Sequence, residues 1–436
     1  MLRELIVFLF MDNMSKITFA TNTGPNTLEY TKLLLRSLKE NLDSDEHEIL
    51  VFIDNDNDGT LDYLRSAKSS FKDLKIITHS VKPIVGPERN SNLIVELAKH
   101  DIVSYLQSDM VVSKHYDTEI LKHLEQDMIL SSTRIEPPLH GLSDLTFTMD
   151  FGLTPEEFKW NEFLLYADTV KSDRMEDYFF APFTVYKQAW NKLGGYDTNF
   201  RRSRCDSDIV QRALHLGIQI KQTYSANVYH FTCVSSRGKN WFDAKDEKAQ
   251  KRVQTQQFAD QVEMRRFLRK WGKFSHTDKL PFKYDVDFVV KGNSPQLTNL
   301  AYDLEPFGSR MWVASQDIKR SLLDRCELEH VYANELYGFE QRDWEASKKL
   351  YNHTNYDQIY CVGEPSSYSI KITIDPTKDV REFLQHIGSL REMLENSEPG
   401  DYNLGGAEVY VRELREVVLP LTVSNPTFEA NLLNIQ

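Results

Sequence analysis

The chain is short of several features, and each shortage narrows what it can be. It has four cysteines in 436 residues, at positions 205, 233, 326 and 361, and no Cys-x-x-Cys pair. That argues against a disulfide framework and against a structural zinc site, and a reducing, cytoplasmic compartment is the simplest expectation. No run of 18 apolar residues occurs, so no membrane span is expected. The short apolar run at residues 5–10 (LIVFLF) lies between Glu4 and Asp12, too brief and wrongly flanked for a signal segment. Residues 1–15 are read as an N-terminal extension, with Met11 and Met14 just beyond the run. Positive charge is also in deficit, 52 Lys+Arg against 65 Asp+Glu, a net charge of −13. A field of that sign disfavours nucleic acid but leaves room for a local basic patch around a phosphorylated small molecule.

What remains is an ordinary globular composition, with 41% hydrophobic, 11% aromatic and 27% charged residues, which excludes disorder and fibres. The length suggests two domains. From residue 16 the pattern alternates strand and helix. Strands are expected at 16–21 (KITFAT), 48–54 (EILVFID), 74–79 (LKIITH), 101–107 (DIVSYLQ) and 128–133, with helices at 28–42 and 90–99. This is an α/β pattern with a largely parallel sheet. Residues 134–182 are less regular and read as an insertion near a substrate site. A helix and strand follow between 184 and 230, then a long charged helix over 241–271. Residues 273–282 read as a linker. Beyond it, 283–436 shows a second, smaller α/β pattern: strands at 285–290, 310–314, 358–362, 369–374 and 407–411, and a helix over 379–395. Asn403–Glu408 (NLGGAE) lacks phosphate-loop spacing and reads as a turn before a strand.

In open parallel sheets, ligands sit beyond the carboxyl ends of the strands. Asp54, Ser108 and Asp109 stand there. Asp54 opens the loop NDNDGT, which is rich in turn formers; the twelfth residue from Asp54 is Arg65, which disfavours a calcium loop. Asp109 ends an apolar strand, where a carboxylate needs a cation or a donor unless it caps a turn or helix. Asp206 and Asp208 sit at a helix start, either as a cap or as a presented base. Arg201, Arg202 and Arg204 just before them favour an anion nearby. His230 ends another apolar strand, a position where a histidine is usually structural.

Together these positions resemble the family 2 glycosyltransferases of GT-A fold over residues 16–272. Residues 51–60 (VFIDNDNDGT) parallel the family's VVDDGSTDGT stretch. Residues 86–92 (GPERNSN) resemble its G-x-x-x-R-N segment. Gln107-Ser108-Asp109 falls at the D-x-D position, and Gly194-Gly195-Tyr196-Asp197 resembles the GGFD turn. Asp206-Ser207-Asp208 falls on the ED-x-D helix start with Arg212 downstream, and FLRKWG at 267–272 resembles the end of many such domains.

The resemblance implies a GT-A (Rossmann-like, nucleotide-diphospho-sugar transferase) domain with a mixed, mostly parallel sheet flanked by helices. It implies an inverting, metal-dependent transfer from a nucleotide-diphosphate sugar, UDP-linked by expectation, to a glycan, glycolipid or other hydroxyl acceptor. Asp206 is then the catalytic base. Asp109 and His230 are the ligands of Mn²⁺ or Mg²⁺. Asp54, Arg89, Ser108 and Arg212 contribute to donor binding, and Arg237 and Lys239 close over the diphosphate. Two departures stand out: Gln107 replaces the first Asp of D-x-D, and Cys205 replaces the Glu before Asp206. Gln107 keeps open a non-catalytic nucleotide-sugar or glycan-binding module. A sugar-nucleotide pyrophosphorylase would want a glycine-rich, basic loop after the first strand, which Asn22–Asn26 lacks.

Overall fold

The computed structural model describes residues 15–79, 86–139, 143–201, 203–232, 247–336, 352–426 and 430–433. The chain divides into two compact units. The first comprises residues 1–197, 212–253 and 422–436; the second comprises 198–211 and 254–421.

The first unit is built on one mixed sheet. Its strands are β1 (Ile17–Thr23), β2 (Glu48–Ile53), β3 (Leu74–His79), β4 (Ile102–Gln107), β5 (Met110–Val112), β6 (Met128–Glu136), β7 (Phe147–Thr148), β8 (Met175–Glu176), β9 (Phe183–Tyr186) and β10 (Gln219–His230). β3, β2, β1 and β4 run parallel and adjacent. Every residue of β2 is buried, which is why the expected strands there are continuous apolar runs rather than alternating ones. The sheet then turns mixed, because β9 inserts antiparallel between β4 and β6. β10 lies parallel to β6 and antiparallel to β5. Residues Ala430–Leu433 add an antiparallel strand on the outer edge of β3.

The helices between these strands are α1 (Leu28–Asn41), α2 (Thr60–Ala67), α3 (Pro87–Leu97), α4 (Tyr116–Leu121), α5 (Trp160–Val170), α6 (Lys187–Leu193) and α7 (Cys205–His215). α1 buries Tyr30, Leu34, Leu35 and Leu38, spaced as one helical face. Leu34, Leu35 and Leu38 pack with Phe19, Val51 and Ile53 from the strands. A second cluster joins Tyr30, Phe151, Phe163, Tyr229 and Phe231, so the irregular 134–182 stretch is tied down by aromatic contacts.

α8 (Glu247–Trp271) follows. The second unit carries a six-stranded sheet. β11 (Val286–Val290), β12 (Arg310–Val313), β13 (Tyr360–Val362) and β14 (Ile370–Ile374) are parallel, and β15 (Gly400–Leu404) with β16 (Ala407–Val411) forms a hairpin on one side. Gly405 and Gly406 are both at positive φ, 54° and 92°, as a two-residue hairpin turn requires. The helix expected over 379–395 is broken: Arg381–Gln385 and Leu390–Leu394 are separate helices with a 3₁₀ turn at Ile387–Ser389 between them. Gly388, costly in a helix interior, sits in that turn.

The 273–282 stretch lies inside the second unit, and buried charges hold the end of α8 to the rest of that unit. Arg269 donates to both oxygens of Glu305 at 2.5 and 2.8 Å, and Arg265 to one at 3.0 Å. The hydroxyls of Tyr302 and Tyr356 donate to Glu329 at 2.7 and 2.6 Å. No described helix is long and apolar enough to cross a membrane.

Candidate functional site

The carboxyl ends of β2, β3, β4, β6 and β10 carry the polar residues of interest in the first unit. Asp54 follows β2 and is buried. His79 Nε2 donates to its Oδ1 at 2.9 Å, while the Gly86 amide and the Asn90 side chain donate to Oδ2 at 2.9 and 2.8 Å. A carboxylate has about four acceptor positions, so the protein itself takes most of them. Asp54 thereby fixes the start of α3, where Gly86 at φ 97° and Pro87 open the helix. The loop after it behaves as a set of turn formers. Asp56 accepts from the amides of Gly59, Thr60 and Leu61, and Asp58 from those of Leu28 and Thr60. Its carboxylates are occupied by backbone, in keeping with the reading against calcium.

Ser108 and Asp109 form the turn between β4 and β5, and both are buried. β10 pairs with β5 so that His230 lies opposite Met110. This brings His230 Nε2 to 3.8 Å from Asp109 Oδ1, too far for a hydrogen bond. The other ring nitrogen, Nδ1, is 2.8 Å from Glu136 Oε1. Arg134 Nη1 lies 3.3 Å from the same oxygen. The two expected metal residues are thus brought together. His79 and Glu136 were not foreseen. The expected strand at 128–133 stopped three residues short of Glu136, and Pro137-Pro138 directly after it was the one local sign of a strand end.

The donor set suits a hard or borderline cation: one carboxylate and one imidazole match Mn²⁺ or Mg²⁺ better than softer metals. Among the described residues no group of three His, Cys, Asp or Glu is arranged to hold a metal. A pair of side chains is what an ion that keeps waters and binds substrate phosphates would need from the protein.

The remaining expected residues are placed elsewhere. Arg89 is buried on α3 and donates to the Pro426 carbonyl at 2.7 Å. Arg212 is fully buried and donates to the carbonyls of Leu193 and Gly195 at 2.7 Å each. It ties α7 to the Gly194-Gly195 turn, a structural use where a donor contact had been expected. Asp206 is half-buried in the first turn of α7, within the second unit. Its neighbour Asp208 is fully buried and committed, with Oδ1 accepting from Trp271 Nε1 at 3.0 Å and Lys270 Nζ at 2.7 Å. Of the two, Asp206 is the more exposed. Arg237, Lys239 and Arg202 lie outside the described residues.

Residues 25–138 match the family model of glycosyl transferase family 2. The matched stretch contains β2 with Asp54, α3 with Arg89, the Gln107-Ser108-Asp109 turn and Glu136. Among solved structures, the chain is similar to GalNAc-T7 with UDP, GalNAc and Mn²⁺, at 13% identity and TM-score 0.37, covering 50% of this chain and 44% of that one. It is also similar to S. aureus TarS 1-349, at 14% identity and TM-score 0.38, covering 76% and 92%. The same TarS fragment with UDP-GlcNAc aligns at 15% identity and TM-score 0.36, covering 76% and 91%. The chain thus spans less than half of the GalNAc-T7 chain and most of the TarS fragment. No curated protein matches it.

Proposed function

We propose that this chain is an inverting glycosyltransferase that takes a sugar from a nucleotide-diphosphate donor, UDP-linked by preference, and passes it to a hydroxyl acceptor with a divalent cation bound. The observation that carries this reading is the coincidence of the family 2 segment with Asp109 and His230 meeting at the strand ends. A cation there supplies charge stabilisation for the leaving diphosphate. The chain's own part is to hold it: Asp109 from the β4–β5 turn and Nε2 of His230 from the end of β10. Asp206 accepts the acceptor's proton as its oxygen attacks the anomeric carbon. One displacement inverts the configuration. Asp54 is assigned to the donor's nucleobase on sequence alone. Arg237 and Lys239 are assigned to the diphosphate on sequence alone.

The test is a panel of nucleotide sugars with and without Mn²⁺, reading nucleotide release and UDP affinity. Asp206→Asn is expected to lower turnover by about 10²–10⁴-fold while UDP affinity stays within about twofold. Equal losses of both would make Asp206 structural. Asp109→Ala should remove the metal-dependent part of UDP binding, and unchanged affinity would discard its ligand role. Gln107 at the D-x-D position favours one rival, a non-catalytic sugar-nucleotide-binding module. UDP binding without turnover on any donor would select it.

A further inference from the structure

One polar group at the strand ends has no part in the chemistry above. Glu136 is the last residue of β6. β10 runs parallel beside it with Tyr229 opposite Ile135, so Glu136 and His230 are the next residues on the two strands. Both side chains are about nine-tenths buried. Arg134, stacked 4.0 Å from the centre of the Phe180 ring, holds a guanidinium 3.3 Å from Glu136 Oε1. A carboxylate oxygen accepts. The proton between His230 Nδ1 and Glu136 Oε1, 2.8 Å apart, therefore belongs to Nδ1. In the neutral ring Nε2 then keeps its lone pair, and Nε2 is the atom that faces Asp109. Metal-binding histidines commonly donate their second N–H to a carboxylate in this way, which sets the tautomer and raises the ligand's basicity.

We propose that Glu136 is a positioning residue that holds His230 in its Nδ1-protonated tautomer, with Nε2 presented toward Asp109 as a ligand for the donor's divalent cation. With Gln107 in place of a carboxylate, the cation depends more heavily on His230, and so on Glu136. The inference rests on the nucleotide-sugar reading, and its test separates the two. Mn²⁺ uptake in the presence of UDP is measured by calorimetry or electron paramagnetic resonance for the wild type, Glu136→Ala, Glu136→Gln and His230→Ala. The ¹⁵N shifts of the His230 ring are read in metal-free protein.

Glu136→Ala is expected to weaken Mn²⁺ uptake about 10- to 100-fold and to convert one ring tautomer into a mixture. Glu136→Gln, whose amide oxygen still accepts from Nδ1–H, should recover affinity to within about threefold of wild type. Adding Glu136→Ala to His230→Ala should weaken uptake no further. If Glu136→Ala keeps wild-type Mn²⁺ affinity, or the neutral wild-type ring carries its proton on Nε2, the positioning role is overturned while UDP binding leaves the donor reading standing. If the wild type binds neither UDP nor Mn²⁺, both fall.

Discussion

The two units use buried charge in opposite ways. In the second unit, Glu305 receives three N–H groups from Arg265 and Arg269, and Glu329 receives two phenol hydroxyls. In the first unit, Asp109 faces an imidazole nitrogen from 3.8 Å, beyond bonding reach. A carboxylate whose acceptor positions are filled by neighbours offers only cohesion. One that faces an imidazole nitrogen across 3.8 Å is where the proposed reading places a cation. By that criterion Asp54, although at a strand end in the matched stretch, stands closer to Glu305 than to Asp109.

The comparison is easiest to break at Glu305. Glu305→Ala removes the carboxylate that takes both Arg269 bonds and one from Arg265, which keeps Glu329 at 3.4 Å, and should cost about 3–5 kcal/mol of stability, read by denaturant unfolding, with UDP affinity of the folded fraction unchanged. A loss of UDP binding at preserved stability would erase the distinction. Glu263, fully buried on α8 beside Arg266, gives a second handle. Desolvation pushes its carboxyl up to about 7 against the pull of Arg266 and Arg201. The folded state therefore prefers the protonated form. This favourable contribution is complete below about pH 4.5 and is lost as the pH rises through about 7. Relative to wild type, Glu263→Gln should gain on the order of 3 kcal/mol between those limits; a flat difference would remove Glu263 from the network.

Arg212→Met strips two hydrogen bonds from buried carbonyls and should cost about 2–3 kcal/mol. Its effect on UDP affinity should be small; a large loss would restore the donor-binding role expected of it. The smallest effect is expected at Asn425. Its side-chain amide donates to the carbonyls of Gly194 and Tyr196 at 2.9 and 2.8 Å. Asn425→Ala should lower stability by about 1 kcal/mol, visible as a shift in thermal melting.

Much of this arrangement was legible in the residues, and the misses share a cause. β1, β2, β3 and β4 are apolar runs that declare themselves locally, and they carry Asp54 and Asp109 to the strand ends by rule. His230 was recognised through a resemblance rather than a pattern. Glu136 and His79 went unseen because their meaning lies in a neighbour on another strand: Glu136 acts through a residue 94 positions away. β9 interrupts the parallel order by pairing on both sides, which no hydropathy period reveals. The break at Gly388 was visible as a glycine but outweighed by the apolar spacing around it. Arg212 matched a motif by position, and the structure adds the two backbone carbonyls that it holds.

The returning strand at Ala430–Leu433 has a consequence for how the protein is made. It covers the outer edge of β3, and just before it the Val423 amide donates to the Leu193 carbonyl at 3.0 Å. A side chain at Gly194 would meet the Val423 carbonyl at 1.9 Å. Apart from residues 198–211, the second unit is encoded between β10 and this strand. During synthesis the β3 edge therefore waits, unpaired and open to foreign strands, until residue 433 has cleared the ribosome. Anything that stalls translation within the second unit exposes a sticky edge in the first.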